Sequence, residues 1–84
     1  MKKIRYSYHA LGQMQERGVT EREVEESLLK GERVPAKKGR HAYRLNFQYN
    51  QNWFGKIYAM KQVLSIVKEE DNQIVVITVY VFYF

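Results

Sequence analysis

VEESLLKGERVPAKKGRHAYRLNFQY, residues 24–49, contains the point where the chain changes its hydrophobic period, and that change decides the fold. Up to Lys30 the apolar residues keep helical spacing. Val24 and Leu28 lie four apart with Leu29 beside them, so one stripe faces inward. Beyond Gly31 the period becomes two. His41, Tyr43, Leu45, Phe47 and Tyr49 share one side, and Ala42, Arg44, Asn46 and Gln48 share the other, the pattern of a half-buried antiparallel strand. Between the two regimes, Arg33–Ala36 reads as an edge strand or connector, because Pro35 cannot donate to a central ladder. Lys37-Lys38-Gly39 reads as a turn.

Working back toward the N-terminus, Thr20-Glu21-Arg22-Glu23 is a capping box that starts the helix ending at Lys30 and Gly31. A preceding helix begins near Tyr8 with Ser7 as its N-cap, buries Ala10, Leu11 and Met14, and stops at Gly18 as a left-handed residue. Ile4–Tyr8 alternates and is either a first strand or an extended lead-in.

Working forward, Asn50-Gln51-Asn52 with Gly55 reads as a loop and Ile57–Val67 as a long strand with room for a bulge. Glu69–Gln73 is a polar hairpin loop, and Ile74–Tyr83 is the strongest strand, expected at the sheet centre. Its Val75, Ile77, Val79 and Val81 form an aliphatic side expected to meet the helices. Ile74, Val76, Thr78 and Tyr80 form the other side. The expected fold is α+β: one domain over residues 1–84, with two N-terminal helices packed on a three- to four-stranded antiparallel sheet.

Composition narrows the chemistry. The chain has no cysteine, so it can build neither a disulfide nor a thiolate site. Its two histidines, His9 and His41, are too few for a metal centre without carboxylates, and no cofactor motif is present. The absence of cysteine fits the cytoplasm. MKKIRYSYH leads into no signal-like apolar core, and Ile74–Phe84 is about half a membrane helix in length, so no membrane role is expected.

Net charge is +5 and unevenly spread. From Arg33 to Lys68 no acidic residue occurs, while Arg33, Lys37, Lys38, Arg40, Arg44, Lys56, Lys61 and Lys68 alternate with Tyr43, Phe47, Tyr49, Trp53, Phe54 and Tyr58. Cations interleaved with aromatics suit a polyanion with bases to stack. The alternative is a solubilising surface over an aromatic core. Lys37, Lys38, Arg40, Arg44 and Lys61 are the candidate phosphate ligands, with Arg44, Thr78, Tyr80 and Lys61 grouped on one sheet face if Tyr80 falls in register with Arg44. Otherwise Tyr80 covers the sheet edge.

His9, Gln13 and Arg17 recur every four residues and line one border of the first helix's buried face. Imidazole titrates near neutrality and can take or give a proton. RNA cleavage by 2′-hydroxyl attack needs a base, an acid and cations around the phosphate, without metal or cofactor. His9, Arg17, His41 and Tyr80 are therefore the candidate catalytic residues. The structural alternative is that His9 helps cap its helix and Arg17 pairs with Glu21.

Ser7-Tyr8-His9-Ala10, Met14, Glu16-Arg17-Gly18-Val19-Thr20 and Val24, with the ending Val75-Val76-Ile77-Thr78-Val79-Tyr80, resemble a family of small bacterial domains over nearly the whole chain. That family has the pattern S-x-H-A-x-x-R-M-x-E-R-G-I-S/T-x-x-x-V and is grouped with RelE/ParE-like toxins of toxin–antitoxin systems. The resemblance implies two helices on an antiparallel sheet, a cytoplasmic setting and an antitoxin partner. Among those toxins some cut ribosome-bound mRNA and others act on gyrase. His9, Arg17, Thr78 and Tyr80 match the pattern by position, and Gln13 replaces its arginine. The leading expectation is thus a toxin-like, RNA-directed domain acting as a metal-independent endoribonuclease. The alternatives are a non-catalytic module that binds an antitoxin or a second copy (a homodimer) through Val81–Phe84, and a gyrase-directed toxin.

Overall fold

A computed structural model describes residues 2–84. The elements run β1 (Lys3–Tyr6), α1 (Tyr8–Arg17), α2 (Glu21–Lys30), β2 (Glu32–Pro35), β3 (His41–Trp53), β4 (Lys56–Glu69) and β5 (Gln73–Tyr83). The strands form one five-stranded sheet in the order β1-β5-β4-β3-β2. This corrects the expected sheet of three or four antiparallel strands. β1 pairs parallel with β5, Ile4 beside Ile74 and Tyr6 beside Val76, so the sheet is mixed. The middle strand is β4 rather than β5.

Both helices start and stop on the residues that local chemistry favours. The Ser7 hydroxyl accepts from the Ala10 amide at 3.0 Å. Thr20 and Glu23 close their capping box reciprocally at 3.1 and 3.0 Å. Gly18 adopts φ 72°, and a Cβ there would also lie 2.6 Å from the Trp53 ring, so glycine is required twice over. Gly31 has an ordinary φ of −74°, but a Cβ would meet the Ser27 carbonyl oxygen at 2.3 Å and that of Arg44 at 2.8 Å. Its role is to let α2 approach β3.

The helices cover one sheet face, where Ala10, Met14, Val24, Val63, Val67, Val76 and Val79 form the core. Each fully buried valine contributes about 1.5 to 3 kcal/mol relative to exposure. Leu11 and Leu29, expected inward, are exposed, and Gln13 and Ser27 take inward positions instead. Ser27 donates to the Val24 carbonyl at 2.6 Å, which leaves Ser65 to donate to the Ser27 oxygen at 2.8 Å. The buried pair is thereby satisfied.

Two bulges set the register. One extra β3 residue lies between Gln48 and Gln51, where Asn50 takes φ 48°. β3 then continues through the expected loop to a two-residue turn at Phe54 and Gly55, both with positive φ. The second bulge is Ile77, extra in β5 against Ile66 and Val67 of β4. It reverses the alternation, so Ile74, Val76, Val79 and Val81 meet the helices while Val75 and Thr78 face away. The expected aliphatic side of β5 is therefore correct only after the bulge.

Candidate nucleic-acid interface

Strand alternation delivers the even-numbered residues of β4 from Gln62 to Lys68 to the face without helices. The register orders this open face in rows. Phe82, Gln62 and Asn46 form one; Tyr80, Leu64, Arg44 and Glu32 the next; Thr78, Ile66, Ala42 and Val34 a third. Arg5, Val75 and Lys68 make a fourth, which places the two cations about 10 Å apart across three strands. Tyr80 and Arg44 thus share a row, with Leu64 between them.

Beside these rows, Val34, Ala42, Leu64 and Ile66 floor a hollow of about 380 Å³ whose rim carries Lys37, Lys38 and Arg40. The open face and its rim hold Lys3, Arg5, Lys37, Lys38, Arg40, Arg44 and Lys68; of the carboxylates there, Glu32 pairs with Arg44 and Glu70 accepts from Gln73, the register partner of Lys3. The helical layer carries the opposite bias, with Glu16, Glu21, Glu23, Glu25 and Glu26 on α1 and α2. Tyr80 and Phe82 stand two residues apart on β5 and are 40% and 49% exposed. They supply aromatic faces at the end of the open face away from the Arg5–Lys68 row.

Lys61 is the exception among the candidate phosphate ligands. It lies on the helix-covered face and is 4% exposed, which corrects its expected place beside Arg44 and Tyr80. Its ammonium donates to Glu23 Oε1 at 2.9 Å and to the Gly18 carbonyl. The Tyr49 and Tyr83 rings stand 5.7 and 5.9 Å away, and Trp53 stacks on Tyr83. The cation closes the β3–β4 hairpin onto the turn between the helices. Parity explains the change, because Lys61 alternates with Val63, Ser65 and Val67, all fully buried.

The candidate catalytic residues separate into two places. Arg17 and Tyr80 meet at the border of the sheet, the guanidinium 5.4 Å over the ring. Arg17 also donates to the Val79 carbonyl at 2.7 Å, rather than pairing with Glu21. Gln13 accepts from the Val79 amide at 2.9 Å, and Ser7 donates to the Ile77 carbonyl. Past the end of β1, α1 therefore satisfies the outer edge of β5 with side chains. His9 is exposed and lines, with Gln13, Glu16 and Arg17, a hollow of about 290 Å³.

His41 lies elsewhere, on β3 and on the helix side of the sheet, against Arg33, Tyr43 and Glu69. Sequence reasoning counted Arg33 and Tyr43 only among the interleaved cations and aromatics, and it passed over Glu69. Glu69 belongs to an acidic triplet that reads as a solvated turn, and only the pairing of β4 with β3 brings it to His41. The tail is paired as well: Phe84 exchanges both backbone bonds with Met60, and Val81 packs on the core, so these residues complete the β4–β5 ladder. Among the described residues, no three His, Asp or Glu side chains are placed to hold a metal ion, and no helix is long and apolar enough to cross a membrane.

Fold and face together define a small α/β domain with one acidic, helix-covered side and one basic side of bare sheet. Residues 6–81 match the domain of unknown function DUF4258, and the chain belongs to that family. No curated protein and no solved structure matches it.

Proposed function

We propose that this is an RNA-directed domain of the toxin-like kind, which takes single-stranded RNA on the open face of its sheet. The observation that carries the reading is the company kept by Tyr80 and Phe82. Two exposed aromatics stand at one end of a face whose other end and rim are cationic. Base stacking on aromatics with phosphates held by lysine and arginine is how single strands are bound without sequence readout. A duplex, whose bases are already stacked, gains nothing from Tyr80 and Phe82.

Fluorescence anisotropy with a short single-stranded RNA tests this. Wild type is expected to bind with a log–log salt slope near −3, corresponding to about four neutralised phosphates. Lys37→Ala/Lys38→Ala/Arg40→Ala should flatten that slope by about 2, whereas Lys56→Ala, at the far tip of the β3–β4 hairpin, should leave it unchanged. A slope equal in all three proteins would defeat the reading.

A further inference from the structure

The cluster around His41 has no part in the interface just described, yet its geometry is that of an acid–base group. Arg33 Nη2 lies 2.7 Å from Nδ1 of His41 and 3.0 Å from Nε2. Glu69 Oε2 lies 3.6 Å from Nε2 of the same ring, and Tyr43 donates its hydroxyl to Glu69 Oε1 at 3.2 Å. A guanidinium has no lone pair to offer, so it donates to whichever ring nitrogen is unprotonated; the Glu69 carboxylate beside Nε2 favours the proton there and leaves Nδ1, the nitrogen nearer to Arg33, as the acceptor. With the carboxylate on the Nε2 side of the ring, the opposite nitrogen is left free to act as a base.

The surroundings are cationic. The β2–β3 hairpin carries Arg33, Lys37, Lys38, Arg40 and Arg44, and His41 follows directly on Arg40 where the loop enters β3. Arg33 is more than half exposed, so its contact with the ring is weakly held against a competing anion. A phosphodiester that draws the guanidinium to itself uncovers Nδ1.

We propose that His41 is the catalytic base of RNA cleavage, with Arg33 binding the scissile phosphate and Glu69 and Tyr43 as positioning residues. This rests on the RNA-directed reading above. Nδ1 takes the proton of the 2′-hydroxyl, and the 2′ oxygen attacks phosphorus. The bond from phosphorus to the 5′ oxygen breaks, and that oxygen leaves with the proton returned from Nδ1. The products are a 2′,3′-cyclic phosphate and a free 5′-hydroxyl, so the step needs no external oxidant, reductant or nucleophile. The strand reaches His41 from the open face around the loop of Lys37, Lys38 and Arg40, which borders both places.

The test uses one RNA and the same strand with 2′-deoxy sugars, which binds but lacks the nucleophile, in buffer with EDTA. Wild type should cut the RNA to cyclic-phosphate ends. His41→Gln should slow cutting at least about 100-fold while affinity for the 2′-deoxy strand and the unfolding midpoint stay at wild-type values. Glu69→Gln should lower kcat several-fold while KM and the unfolding midpoint stay at wild-type values; a merely structural role would move the midpoint or leave kcat in place. Binding without cutting, or equal cutting by His41→Gln, overturns this proposal and leaves the RNA-directed reading intact. Failure to bind either strand overturns both.

Discussion

Lys61 and Lys68 stand on the same strand and are chemically identical, but an odd and an even position send them to opposite faces of the sheet. Lys61 is sealed under the helices with Glu23 and two tyrosine rings. Lys68 joins Arg5 on bare sheet. The helix-covered face spends its polar groups on holding the fold: Lys61 on Glu23, Gln13 on Val79, Ser27 on Ser65. The open face spends few. A cation is available to a ligand only where the fold has no need of it.

That contrast can be broken most forcefully at Lys61. Lys61→Ala removes the cation that holds Glu23 and the Gly18 carbonyl and should cost about 3 kcal/mol in urea unfolding. A loss under 1 kcal/mol would mean that the hairpin is not anchored there. Gln13→Leu comes next. It leaves the Val79 amide without its acceptor and should cost about 2 kcal/mol, measured in the same way and seen also as faster hydrogen exchange at Val79.

A milder effect belongs to alkaline pH. Burial first, then Tyr49 and Glu23, push the Tyr83 phenol from 10.0 up to about 12. Burial, Glu21 and Glu25 push Tyr6 to about 12 as well. The native state holds these protons more tightly than the unfolded chain. Their contribution is complete below pH 10 and is lost as pH rises from 10 toward 12. The thermal midpoint should fall across that window, and Tyr83→Phe should make the fall shallower. The smallest effect is expected on the open face. Arg44→Ala breaks an exposed pair with Glu32 and should change stability by no more than about 0.5 kcal/mol.

The helices were legible because their ends are written in neighbouring residues: Ser7, Gly18, Thr20 with Glu23, and Gly31. The alternation of His41–Tyr49 was equally legible, since polar and apolar residues take turns there. In Ile74–Val79 nearly every residue is apolar, so the run carries no phase, and one bulged isoleucine shifts the face unseen. The parallel pairing of β1 with β5 joins residues about seventy positions apart through four-residue contacts, for which no local signal exists. The candidate site divided along the same line. Lys37, Lys38, Arg40 and Arg44 fall together because they are close in sequence, whereas Arg33, His41 and Glu69 are brought together only by pairing across three strands.

The most direct test of the central claim compares single-stranded RNA binding by wild type and Tyr80→Ser/Phe82→Ser. Base–aromatic stacking contributes roughly 1 to 3 kcal/mol per base. The double variant should therefore bind at least about 10-fold more weakly, with its unfolding midpoint within about 0.5 kcal/mol of wild type. Unchanged affinity in a folded double variant would contradict the assignment of the open face to RNA.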